Sequence, residues 1–330
     1  RFIAEKLARY AKVNDMYLLA LQGELGIGML SYKSELNLPE VESLTLNEIL
    51  SYSSNRPLFP QLLEKYYLRN SLAGMQPKVS IPSANTIRTD RTVQQKDIIV
   101  KSFDSEFPLL TVNEFVCMEA ARHCGLEPPT TYLSENLETY VVERFDKTAE
   151  GLRLGYEDFT TLMKKSNDPD AKYTGSYEAL LKATYLYTNS QAEVEKMYKY
   201  IVFNCLIGNG DAHLKNFALQ YLPDMSNIFV SPPFDITHTL IYPTIDNKMA
   251  LKLANSKEFP NLQHLLKLAE SSHFKIRKAK EIIEFLSDNI IDYLKHSNEI
   301  QLFEGLRESI ESSVSNIMTS NFSVKTYRHD

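Results

Sequence analysis

The stretch CLIGNGDAHLKNFALQY (residues 205–221) sets Asp211 and Asn216 five positions apart, just after an apolar run that ends near Gly208 and Gly210. A carboxylate and an amide at that spacing on one loop suit phosphoryl transfer. The carboxylate can accept or orient the proton of an attacking hydroxyl, and the amide can reach back to a divalent cation. A second anionic ligand is needed, and PPFDITHTL supplies it as Asp235. Between the two lie FALQY, the turn LPDMSN and the strand-like IFVS, a hairpin that returns Asp235 beside its start. Taken alone, an Asp in a glycine-containing turn with an Asn nearby is ordinary turn chemistry. The conjunction with Asp235 and with an upstream strand lysine gives the loop its chemical reading.

That lysine is Lys101, at the end of KDIIVK. An alternating strand can aim its ammonium into a cleft, where it would steady the phosphates of a nucleotide; by itself it reads as a surface lysine at a strand end. Glu114, on the helix that follows, either pairs with Lys101 or stands exposed. His213 and Lys215, inside the loop, either touch phosphate oxygens or are solvated side chains. No second His or Cys stands close to His213, so spacing does not make it a metal ligand.

The elements that must position these residues change character along the chain. Residues 17–32, apolar with glycines at 23, 26 and 28, suggest a hairpin. PKVSIP and KDIIVKS, within residues 77–102, read as two strands joined by a polar loop. In TVNEFVCMEAARHCGL, Val112, Phe115, Val116, Ala120 and Cys124 recur at helical spacing and Gly125 supplies the stop. TYVVERFDK (139–147) is a strand leading to a hinge. After about residue 150 the apolar spacing is helical over 176–188, 193–207, 261–270 and 274–295. The expected fold is therefore α+β: a mixed N-terminal lobe over 1–147 and a mostly helical C-terminal lobe over 148–330. There is no internal repeat or low-complexity tract.

Composition excludes several other classes. Of the 330 residues, 43% are hydrophobic and 24% charged, which favours a packed core over disorder. Cys117, Cys124 and Cys205 are too few and too scattered for a disulfide framework or a zinc site and read as reduced thiols in a cytosolic protein. No apolar run is long enough to span a bilayer, and RFIAEKLARY has the pattern of an amphipathic helix without a secretory core. The net charge of −6 argues against an extensive nucleic-acid surface, and KIRKAK (275–280) reads as a solvated helix face.

SLAGMQPK, NEFVCMEAARHCGLEPP, VVERFDK, YEDF, FNCLIGNGDAHLKNFAL and PPFDI, in that order over residues 65–255, together resemble the HipA-like serine/threonine kinases, the toxins of bacterial toxin–antitoxin modules. The resemblance implies a two-lobed protein-kinase-like fold that uses ATP and Mg²⁺. It makes Asp211 the catalytic base, Asn216 and Asp235 the metal ligands, and Lys101 the lysine on the ATP phosphates. Ala73, Gly74, Met75, Gln76, Pro77 and Lys78 would form the loop over the phosphates, though the segment has a single glycine and is no G-x-G-x-x-G. Glu143, Arg144 and Phe145 would form the hinge against adenine, with His213, Lys215 and Phe234 also at the nucleotide. Ser71 matches the serine that such kinases autophosphorylate, an event that expels the loop; from the residues alone it is an ordinary loop serine.

Two departures stand out. Thr237 occupies the place of the glycine in a DFG motif, as the HipA pattern also allows. Only the tail of the family's small N-terminal domain is recognisable, which is similar to the short HipT type; a natural shortening and a truncated chain read alike. The resemblance implies a HipB-like helix-turn-helix antitoxin and a small HipS-like subunit as partners, DNA contacted only through the antitoxin, no membrane, and a cytoplasmic site of action. The implied substrate is a protein serine or threonine, with an aminoacyl-tRNA synthetase as the family's example. A small-molecule or lipid kinase and a catalytically silent corepressor module are the competing readings.

Overall fold

A computed structural model describes residues 16, 26–30, 32, 44–66, 78–81, 97–102, 106–271 and 276–319. From residue 44 onward, two short helices come first, α1 (Leu46–Leu50) and α2 (Leu58–Tyr66). Thr45 and Glu48 cap α1 reciprocally: the Thr45 N–H donates to Glu48 Oε2 at 2.7 Å and the Glu48 N–H to Thr45 Oγ1 at 3.3 Å. The strands β1 (Lys78–Ile81), β2 (Ile98–Lys101), β3 (Thr131–Leu133) and β4 (Tyr140–Glu143) form an antiparallel sheet in the order β1-β2-β4-β3, with helix α3 (Leu110–His123) between β2 and β3 in sequence.

The two-residue period of these strands sorts their side chains. Val79, Ile81, Ile98, Val100 and Val141 pack with Leu58, Leu62 and Tyr66 of α2 into one buried cluster. The alternate positions turn to the other face, and the register aligns Lys78 with Lys101 and Lys101 with Tyr140 in one row. A lysine at the end of an otherwise apolar strand is thereby aimed inward. Helix α3 stops as its sequence dictates. Gly125 takes a φ of +71°, its N–H donates to Arg122 O and the Leu126 N–H to Ala121 O, the paired bonds of a Schellman end.

The second half opens with β5 (Gly155–Asp158) and the single turn α4 (Phe159–Leu162), then α5 (Tyr177–Thr188) and α6 (Gln191–Leu206). β6 (Ala218–Tyr221) and β7 (Ile228–Val230) complete a three-stranded antiparallel sheet, β5-β6-β7. Helices α7 (Leu262–Ser271), α8 (Ala279–His296) and α9 (Leu306–Thr319) follow. Ser176 and Ser190 cap α5 and α6 by accepting the N–H groups of Ala179 and Glu193. Helix α6 is buried all round from Tyr198 to Leu206 apart from Lys199, so it is the axis on which the helical half packs.

The α+β architecture is the one expected, a mixed portion with the four-stranded sheet followed by a mostly helical one. The strand expected over 139–147 is regular only over β4, and the helix expected over 274–295 begins at Ala279. Helix α9 was not anticipated, because ESIESSVSN interrupts its apolar stripe of Leu306, Ile310, Val314 and Ile317 with serines. Of the hairpin expected over 17–32, only residues 26–30 and 32 are described besides residue 16, and residues 26–29 run as bends. Lys278 and Lys280 are exposed and pair with Glu281 and Glu284, as a solvated face should. All three cysteines are buried free thiols. Among the described residues no helix is long and apolar enough to cross a membrane.

Candidate active site

Where the strand row of Lys78, Lys101 and Tyr140 meets the hairpin between α6 and β7, a cavity of about 950 Å³ opens. Lys101 is its most constrained charge. Its ammonium bonds Glu114 of α3 and, at 2.5 Å, Asp235 Oδ1, and lies 5.6 Å from the centre of the Tyr140 ring. Burial works against its charge, yet the Asp235 and Glu114 carboxylates outweigh that and hold Lys101 above the ordinary lysine range. Burial likewise opposes ionisation of Asp235, but Lys101 and Lys78 overcome it and keep the carboxyl well below its usual range. Burial raises Glu114, with Lys101 pulling the other way. Lys78, opposite Lys101 in the sheet, is pushed down by burial.

The loop after α6 depends on two glycines. Gly208 has a φ of +75°, and a Cβ there would stand 2.7 Å from the His238 ring; at Gly210 it would stand 2.6 Å from Lys248 O. Asp211 follows, its N–H donating to Asn209 Oδ1 at 3.1 Å, while its own Oδ1 accepts from the Tyr173 hydroxyl at 3.3 Å. Burial pushes the Asp211 carboxyl up to about 6, with Lys172 acting against it. His213 Nε2 lies 2.9 Å from Lys172 Nζ, and burial, reinforced by Lys172, lowers the imidazole to about 4. Lys172 and Tyr173 belong to a 3-10 turn, Pro169–Tyr173, that sequence reasoning passed over.

Asn216 and Asp235 are brought together by a residue of the central helix. The Tyr200 hydroxyl lies 3.1 Å from Asn216 O and 2.9 Å from Phe234 O, and accepts the Phe234 N–H at 3.2 Å. Asn216 Nδ2 donates to Asp235 O at 3.3 Å. Asp235 itself sits at φ +59°, a conformation that Asp tolerates better than most side chains. Three residues on, the His238 backbone exchanges hydrogen bonds of 2.8 Å with the Asn113 side chain, next to Glu114. The His238 ring lies 2.6 Å from Ile207 O and 2.6 Å from Ser309 Oγ of α9.

The site fits a hard cation. Asn216 Oδ1 is buried with no hydrogen-bond partner, beside the ionised Asp235. Among the described residues no three His, Cys, Asp or Glu side chains converge on one point. One amide and one carboxylate suit an ion that takes its remaining oxygens from water and substrate phosphates, as Mg²⁺ does. The rest of the cavity suits a nucleotide. Ile99 and Val142 supply an apolar wall, and Phe145, Tyr156 and Phe234 cluster with ring centres 5.5 to 6.5 Å apart.

Of the other expected nucleotide residues, Lys78, Lys215, Arg144 and Phe145 line the cavity. The Arg144 side chain is engaged elsewhere: it is buried, bonds both Asp146 oxygens at 2.9 and 2.5 Å, and reaches Gly26 O at 2.8 Å. Its N–H donates to Asp97 O and that of Glu143 to Thr130 O, while Glu143 Oε1 accepts from the Tyr132 hydroxyl. Ser71 and the segment from Ala73 to Pro77 lie outside the described residues.

The model of the HipA-like C-terminal domain family matches residues 70–293. Y4dM of Sinorhizobium fredii, which carries a kinase's name, is 31% identical over 242 residues, 66% of this chain and 58% of the relative. The serine/threonine-protein kinase toxin HipA of Shewanella oneidensis is 23% identical over 256 residues, 70% of this chain and 58% of that protein. The chain thus spans little more than half the length of these curated relatives. A chain from the Shewanella oneidensis MR-1 complex of HipA, HipB and operator DNA has the same fold, with a TM-score of 0.65 at 18% identity, covering 96% of this chain and 81% of that one.

Proposed function

This chain belongs to the family of HipA-like C-terminal domains, and on that premise we propose that it is an ATP-dependent serine/threonine protein kinase with Asp211 as its catalytic base. The observation that carries the reading is the convergence of Asp211, Asn216, Asp235 and the Lys101–Glu114 pair on one cavity, with Asn216 Oδ1 left unpartnered. Magnesium, held by Asn216 and Asp235, would neutralise charge on the transferring phosphates. Lys101, steadied by Glu114, exchanges its contact with Asp235 for the α- and β-phosphates. Asp211, raised to about 6 yet ionised at neutral pH, accepts the proton of the acceptor hydroxyl. Phe145, Tyr156 and Phe234 exclude water at the base end.

We extend this reading to a toxin of a toxin–antitoxin module that modifies a protein hydroxyl, with an aminoacyl-tRNA synthetase as the substrate class and Ser71 as a site of self-modification, both on the family resemblance. A HipB-like antitoxin is the proposed partner, supported by the complex in which the like-folded chain is found. The net charge of −6 agrees with leaving operator contacts to that partner. A small HipS-like subunit and a cytoplasmic site of action complete the proposal.

The test is incubation of dephosphorylated chain with Mg²⁺ and γ-labelled ATP, followed by mass spectrometry of its peptides beside an Asp211→Asn control. Label on Ser71 that vanishes in the control supports a self-modifying protein kinase. A chain that binds ATP but labels no protein, itself or a cell extract's, defeats the reading.

A further inference from the structure

The mechanism above uses no side chain of the turn Pro169–Tyr173, yet that turn is built as a fixed support. Asp168 caps it by accepting the Asp170 N–H at 2.9 Å, Thr174 Oγ1 closes it on Ala171 O at 2.7 Å, and Lys257 reaches Tyr173 O at 3.4 Å. Ala171 is buried beneath it, so Lys172 and Tyr173 are held over the cavity at the Asp211 end.

The state of Lys172 there is unusual. An ammonium has donors only, so Lys172 donates to His213 Nε2 across the 2.9 Å contact. The Tyr173 ring lies 4.8 Å from the same ammonium. No carboxylate among the described residues pairs with Lys172, whereas Lys101 across the cavity holds two. A half-buried cation that is fixed in place, with no carboxylate within ion-pair distance, is a receptor for an anion. It stands beside the base rather than beside the metal ligands.

We propose that Lys172 is a further catalytic residue of this site, holding the phosphoryl group as it passes to the hydroxyl at Asp211, with His213 as its positioning residue. The proposal rests on the kinase reading. In the step, the bond between the terminal phosphorus of ATP and its bridging oxygen breaks and the electron pair leaves with ADP. The acceptor oxygen bonds to phosphorus and its proton passes to the Asp211 carboxylate. Lys172 donates to a non-bridging oxygen of the moving group and emerges unchanged, a contact that strengthens as charge gathers on that group.

Wild type, Lys172→Met and Lys172→Arg are compared for kcat and KM of ATP in the γ-label assay, and for ADP affinity by calorimetry. The expected result is a kcat lowered about 10²-fold in Lys172→Met, partial recovery in Lys172→Arg, and ADP affinity unchanged in both, because ADP lacks the group that Lys172 holds. A kcat for Lys172→Met within threefold of wild type overturns the proposal, as does a loss of ADP binding that matches the loss of kcat, which would mark a structural lysine. Wild type that binds ADP and transfers nothing overturns the kinase reading instead, and this proposal with it.

Discussion

Asp211 carries its charge at a disadvantage, and that has a sign. A carboxyl raised to about 6 in the folded chain binds protons that the unfolded chain has already lost, so ionising it costs stability as pH rises through that window. Asp211→Asn is therefore expected to abolish transfer while leaving the nucleotide-free chain as stable as wild type at pH 7, or more so, as a thermal melt would read. A markedly lower melt would make Asp211 a structural residue. In the wild type the transfer rate should climb with pH up to about 6 and then level, as the base ionises; a rate flat from pH 5 to 7 would remove Asp211 from the role. Lys101 predicts the opposite balance. Lys101→Met leaves Glu114 buried without its cation and should cost about 3 kcal/mol, seen in urea titration, besides ending transfer. At this scale the sequence singled out Asp211, Asn216, Asp235 and Lys101, which the structure brings to one cavity, because loop spacing and strand alternation carry that information. It did not locate Lys172 and Tyr173, which stand in a polar stretch with no periodicity. It read Glu143 to Phe145 as a hinge offering its backbone, and gave no sign that the Arg144 side chain is locked onto Asp146.

Helix α6 looked in the sequence like a buried segment, which it is, and that reading concealed what its Tyr200 does. A tyrosine within an apolar run reads as core, and only the fold shows its hydroxyl stitching Asn216 to Phe234. Tyr200→Phe keeps the ring packed against Phe217 and strips the stitch. It should cost about 1–3 kcal/mol and raise the Mg²⁺ concentration needed for half-maximal transfer. An unchanged Mg²⁺ requirement would show that the two loops hold themselves. Of the four-stranded sheet, β1, β2 and β4 were legible, as was α3, because apolar strand runs and helical spacing were clean and Gly125 marked an end; the three-residue β3 was too short to stand out. Helix α9 was not legible, since its serines are as many as the residues of its stripe.

The described residues form two buried clusters of unequal size. The smaller joins α1 and α2 to the sheet face turned away from the cavity and includes nothing from the helical half. Leu62, buried at its centre, gives a way to loosen the sheet alone. Leu62→Ala should cost about 2–5 kcal/mol and weaken ADP binding, while the helical signal of α5 to α9 persists to a higher temperature. A single melting transition with wild-type ADP affinity would argue that the two clusters stand or fall together. The larger cluster runs from α3 through α6 to α9, and its polar seam is His238, which joins the loop after Asp235 to Ser309 of α9. Proteins are synthesised from one end. A ribosome delivers Lys101, Asp211, Asn216 and Asp235 long before it delivers Ser309, so a growing chain possesses every charged group of the cavity while the loop that bears Asp235 still lacks its last anchor. The order of synthesis itself thus postpones the anchoring of the Asp235 loop until α9 has been made.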